Sequence, residues 1–87
     1  MVEFAERAER VVVLTRQGCH LCDEAIGYVA AVCAETGEEY AVIDVDRDPE
    51  LRQRYTDQVP VTFVDGAQHD FWRVDPVRLK AALLRSR

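Results

Sequence analysis

Two cysteines separated by two residues, Cys19-His20-Leu21-Cys22, carry the strongest chemical signal in this chain. Before them runs Val11-Val12-Val13-Leu14, a continuous, mostly β-branched apolar stretch of the kind that forms a strand buried on both faces. After them the apolar residues Cys22, Ile26, Val29 and Cys33, with Ala25, Ala30 and Val32 beside them, recur at helical steps of three and four. The pair therefore falls at a strand-to-helix junction. There the unpaired backbone N–H groups and the positive end of the helix dipole stabilise a thiolate, and the thiolate is the form that attacks disulfides. Two intervening residues set the second sulfur one helical turn inside the first, close enough for a disulfide. On this reading Cys19 is the exposed nucleophile and Cys22, on the core-facing stripe, is the sheltered resolving thiol. His20 adds an N–H donor or a cation beside Cys19, and Asp23 and Glu24 favour the helix start.

The remaining chemistry-bearing side chains group less well. Cys33 lies eleven residues past Cys22, roughly 16 Å along the helix axis, beyond the ~7 Å that a disulfide allows between Cα atoms. It reads as a small core residue. His69 reads as an ordinary strand residue. A zinc site needs about four ligands, and His20, Cys33 and His69 offer no second closely spaced pair to Cys19 and Cys22.

The elements that must hold the pair follow from periodicity and punctuation. Gly37 suits the left-handed residue that ends the long helix. A second strand is expected over Tyr40 to Val45. Asp48-Pro49 and Asp75-Pro76 are helix starts, with Asp as cap and Pro in the first helical position. The first opens a short helix with Leu51 and Tyr55 on one face; the second opens a last helix carrying Val77, Ala81 and Leu84. Between them Val61-Thr62-Phe63-Val64 reads as a third strand, Asp65-Gly66 as a hairpin turn, and His69 to Val74 as a fourth strand. The order is β-α-β-α-β-β-α: a single α/β domain with a four-stranded mixed sheet flanked by helices. Residues 11–87 form that domain, behind an N-terminal segment of residues 1–10.

Composition bounds the function. Of 87 residues, 48% are hydrophobic and 31% charged, which fits one folded domain. Eleven Lys and Arg against sixteen Asp and Glu leave a net charge of −5 with no basic patch, so nucleic acid is excluded as a partner. The longest apolar run is Val11 to Leu14, too short for a signal peptide or a membrane span. A cytoplasmic protein without a membrane partner is expected, and three cysteines there do not read as a disulfide framework.

The whole pattern from Val11 onward resembles the glutaredoxin-like family of thioredoxin-fold proteins. The resemblance rests on a strand, Arg16-x-x-Cys19-x-x-Cys22, a helix, a strand, a helix, and then Val59-Pro60 opening the hairpin. It implies that Pro60 is cis, that Val59 offers its backbone to a substrate cysteine, and that Arg16, His20, Val59 and Pro60 line the place where a substrate or glutathione sits. Thioredoxins carry Trp-Cys-Gly-Pro-Cys and a buried acid six residues earlier; Gly18 and Val13 stand there instead. Glutaredoxins carry a later Gly-Gly pair that grips glutathione; Asp70-Phe71-Trp72-Arg73-Val74-Asp75 occupies its region. Phe71 and Trp72 would fill the space of glutathione's γ-glutamyl end.

The function so implied is thiol–disulfide exchange by a monomer without a bound cofactor. Its partners would be disulfide-containing proteins or small disulfides, with glutathione or a thioredoxin reductase as the reductant. Two alternatives remain open on the sequence: a reductase-fed electron donor, and a non-catalytic module that uses Cys19 and Cys22 to hold a metal.

Overall fold

The computed structural model describes residues 9–85. Four strands, β1 (Val11–Thr15), β2 (Tyr40–Asp44), β3 (Val61–Val64) and β4 (Ala67–Phe71), alternate with three helices, α1 (His20–Thr36), α2 (Pro49–Tyr55) and α3 (Pro76–Arg85). The sheet order is β2-β1-β3-β4; β2 runs parallel to β1, and the other two pairings are antiparallel.

Every residue of β1 is buried, because helices cover both faces of its central position. Val11 and Val13 face one way, into a core with Ala25, Val29, Val32 and Cys33 of α1 and Leu79 and Leu83 of α3. Val12 and Leu14 face the other way, packing with Val45, Leu51, Val61 and Phe63. The expected α1 stripe is rotated slightly: Ala25 and Val32 are fully buried, while Ile26 only flanks the core.

The punctuation acts as its chemistry requires. Gly37 ends α1 at φ 74°, a left-handed conformation that costs glycine nothing. Asp48 caps α2, its carboxylate accepting from the N–H groups of Glu50 and Leu51, with Pro49 in the first turn. Asp75 does the same for α3 through the N–H groups of Val77 and Arg78. Asp65 and Gly66 both have positive φ, 51° and 85°, as a two-residue hairpin turn demands.

The fourth strand departs from expectation: it covers Ala67–Phe71, not His69 to Val74. The tight turn at Asp65-Gly66 lets pairing restart at once, with Ala67 opposite Val64. Pairing stops where Trp72 turns to φ 66°, out of the extended region. Val74 instead drops into the α1–α3 core. Between the pairs Thr62–Asp70 and Phe63–Gln68 the register shifts by one residue, leaving His69 as the extra residue of a β-bulge. Its burial pushes the imidazole below its usual range against the pull of Asp70 and Asp75, with Arg78 and Arg85 acting in the same direction as burial. β2 closes at Asp44, one residue short of expectation, because Val45–Arg47 coils into a 3₁₀ turn capped by the Asp44 carboxylate.

Arg10 clamps the end of the molecule away from α1's N-terminus. Its guanidinium donates to both carboxylate oxygens of Asp65 at 2.8 and 3.0 Å, to Glu38 at 2.6 Å and to the Leu83 carbonyl at 3.2 Å. One side chain thus ties the hairpin turn, the loop after α1 and the end of α3 to the start of β1. No helix among the described residues is long and apolar enough to cross a membrane.

Candidate redox site at the start of helix α1

β1 ends at Thr15, and Gly18, at φ 74°, swings the chain so that α1 begins directly after Cys19. Cys19 is the N-cap of that helix, and its sulfur accepts the backbone N–H of Cys22 at 3.2 Å. A helix N-cap is ordinarily Ser, Thr, Asp or Asn, whose oxygen does the same work. A sulfur in that role sits against unpaired amide dipoles that favour negative charge.

Cys22 lies one turn inside, 2% exposed. Its thiol is pushed up to about 12, foremost by burial and then by the adjacent Cys19 sulfur, while the backbone N–H of Arg16 pulls the other way. The two sulfurs are therefore neighbours in different environments: one partly exposed at the dipole, one sealed beneath it. Both are free thiols here. Cys33 is buried in the α1–α3 core, its thiol raised by the same desolvation, and it takes no part in the pair.

The other expected residues are placed as follows. His20 is exposed in the first helical position. The Arg16 guanidinium is engaged by the fold: its Nε donates to Asp46 at 3.3 Å and a terminal nitrogen to Thr56 at 2.6 Å. Arg16 braces the β1–α1 loop against the 3₁₀ turn and the end of α2, while its backbone serves Cys22. The Val59-Pro60 bond is cis. Among the described residues, nothing engages the backbone N–H or carbonyl of Val59. Val59 lines a groove of about 570 Å³ with Leu21, Phe71, Trp72 and Arg73, so the proline loop shares an opening with Leu21, the residue before Cys22. No group of three or more His, Cys, Asp or Glu side chains converges as a metal site among the described residues.

Sequence reasoning missed how Trp72 is held. Its backbone N–H donates to the carbonyls of Pro60 at 2.8 Å and Gln58 at 3.3 Å, and its indole Nε1 donates to the Asp57 carbonyl at 3.0 Å. Nothing local in Phe71-Trp72-Arg73 signals these bonds, since each partner lies twelve or more residues away.

A sequence profile described as glutaredoxin-like domain (DUF836) matches residues 10–84. The chain belongs to that family. This glutaredoxin-like protein is 38% identical over 82 residues to an uncharacterized protein of Mycobacterium tuberculosis, covering 88% of its own chain and 84% of the relative. Its backbone is similar to that of a Nitrosomonas europaea protein solved in solution, with a TM-score of 0.73, 30% identity, and coverage of 94% and 98% of the two chains. It is also similar to Fasciola hepatica thioredoxin, with a TM-score of 0.59, 26% identity, and coverage of 88% and 79%. The fold of this glutaredoxin-like chain is thus thioredoxin-like, and the family, together with the adjacent cysteines, supports a thiol redox function.

Proposed function

We propose that the protein is a thiol–disulfide oxidoreductase that works by dithiol exchange through Cys19 and Cys22. The observation that carries this reading is the Cys19 sulfur at the N-cap of α1, receiving the Cys22 N–H above a buried second thiol.

The Cys19 thiolate attacks one sulfur of a substrate disulfide. A new S–S bond forms, the substrate bond breaks, and one substrate thiolate leaves and takes a proton. Cys22, after losing its own proton, attacks the Cys19 sulfur, and the second substrate thiol departs. Two electrons pass to the substrate, and Cys19–Cys22 is left oxidised for a thiol reductant to restore. Val59 supplies a free backbone N–H and carbonyl for the substrate chain, Pro60 holds that loop, and His20 stands at the rim. Arg16 positions the loop before Cys19. A reducing, cytoplasmic setting suits such a cycle.

The reductant is glutathione or a dithiol such as a thioredoxin reductase. Phe71 and Trp72, exposed side chains that the resemblance aligns with the Gly-Gly region of glutaredoxins, favour the second. The test is to incubate the oxidised protein with excess reduced glutathione and read intact mass. A disulfide that resists glutathione and yields to a small dithiol is the expected result. Ready reduction by glutathione would make the protein a working glutaredoxin, and the absence of any reducible Cys19–Cys22 bond would contradict dithiol exchange altogether.

A further inference from the structure

Three of the six aromatic side chains among the described residues stand in water together: Tyr28 is 45% exposed, Phe71 49% and Trp72 52%. All three border openings beside the C-x-x-C. Leu21, Trp72 and Arg73 line both the 570 Å³ groove and a cleft of about 120 Å³ that also includes Tyr28 and Glu24. Exposed apolar surface gathered in this way marks an interaction site, whereas scattered single residues do not.

The wall is built, not loose. Three hydrogen bonds hold Trp72 to the carbonyls of Asp57, Gln58 and Pro60. Phe71 packs edge-to-face on the indole with ring centroids 5.0 Å apart. The backbone of Trp72 sits at φ 66°, a conformation that is unfavourable for a bulky side chain and persists only where surrounding contacts determine it. A wall ordered in the free protein costs little further ordering when a ligand arrives.

The chemistry of the lining selects the ligand. Leu21, Val59, Phe71 and Trp72 are apolar, and Arg73 is the one charged residue of the larger groove. No carboxylate pairs with the Arg73 guanidinium among the described residues, although the chain as a whole carries −5. The α-ammonium of a γ-glutamyl group would lose water here without finding a carboxylate in the lining of the larger groove, although its own carboxylate would meet Arg73. An extended polypeptide fits better: its backbone meets the open N–H and carbonyl of Val59, an apolar side chain covers the indole, and a carboxylate reaches Arg73.

We infer that the Phe71–Trp72 groove selects protein disulfides in which the reacting cysteine has a bulky apolar residue and a carboxylate as near neighbours. This rests on the dithiol-exchange reading above. The test compares symmetrical disulfides of short blocked peptides containing Cys-Leu-Asp, Cys-Gly-Asp or Cys-Leu-Lys, with bis(2-hydroxyethyl) disulfide as a substrate too small to feel the groove. The wild-type protein is expected to prefer the leucine peptide over the glycine peptide by about tenfold in kcat/KM. Trp72→Asn, whose side chain tolerates positive φ, should bring that ratio to within about twofold, with both peptide rates normalised to the variant's own rate on hydroxyethyl disulfide. Exchanging Asp for Lys in the peptide should cost the wild type severalfold and Arg73→Gln nothing. If Trp72→Asn does not fold, Phe71→Ser takes its place with the same expectation.

A wild-type leucine-to-glycine ratio near one, or a ratio that survives these substitutions, overturns the inference. If the wild type reduces no disulfide at all, the exchange reading has failed, and the groove is then judged by binding alone. Trp72 is the chain's one tryptophan, so its fluorescence in the Cys19→Ser/Cys22→Ser protein reports occupancy. A response to the leucine peptide at about tenfold lower concentration than to the glycine peptide supports the groove; equal responses, or none, overturn it.

Discussion

At the scale of single residues, the division of labour between two identical side chains comes from placement. Cys19 takes the N-cap, its sulfur accepting the Cys22 N–H; Cys22, one turn later, loses water, which pushes its thiol up. A thiol pushed up to about 12 is roughly one part in 100,000 thiolate at pH 7. Because its burial raises that value, the ionised fraction grows as pH rises, by close to tenfold per unit well below 12. In the mixed disulfide Cys19 carries no charge but Cys22 stays buried, so the second step of the proposed cycle, release of the substrate from Cys19, should quicken as pH rises from 7 to 9. Rapid-quench mass spectrometry of the mixed disulfide measures it, and a rate flat across that range would contradict the burial of Cys22. The C-x-x-C, the outlying Cys33 and Val59-Pro60 were all legible in the sequence, because each depends on local spacing or on a resemblance to a short motif. Arg16 was legible only as a charge beside the motif. Its partners Asp46 and Thr56 lie 30 and 40 residues away, and their approach is decided by the fold.

At the scale of elements, the punctuation residues account for most of what could be read in advance. Asp48, Asp75, Gly37 and the Asp65-Gly66 pair each act within four residues of themselves, so their chemistry shows in one dimension. β4 could not be read this way. Its start depends on how tightly the hairpin closes, and its end on the bonds from Trp72 to Gln58 and Pro60. Arg10 was likewise invisible as more than a charge in an N-terminal segment, since it bonds to residues 28, 55 and 73 positions away. Removing it leaves the partly buried Glu38 carboxylate without that bond. Arg10→Ala should cost about 2 kcal/mol of stability, read as a lower urea midpoint with an unchanged slope. The clamp lies at the far end of the sheet from Cys19, so disulfide exchange at low temperature should be unaffected. A midpoint equal to the wild type's would show that the clamp contributes nothing.

At the scale of the whole molecule, the central strands β1 and β3, buried on both faces, fix one strand end and one helix start against each other, and that junction is where the sulfurs sit. The β-α-β-α-β-β-α order was legible because the strand runs, helix stripes and caps all pointed to the same architecture. The groove beside the site was not, since it is assembled from α1, the proline loop and the end of β4. In the proposed exchange Cys19 attacks and Cys22 resolves. Its most direct test is intact-mass analysis of the Cys22→Ser and Cys19→Ser variants after brief exposure to a small disulfide. Cys22→Ser should accumulate one stable adduct that peptide mapping assigns to Cys19, and Cys19→Ser should take up none on the same timescale. An adduct on Cys22 in the Cys19→Ser protein at a comparable rate, or no adduct on Cys19 in the Cys22→Ser protein, would contradict it.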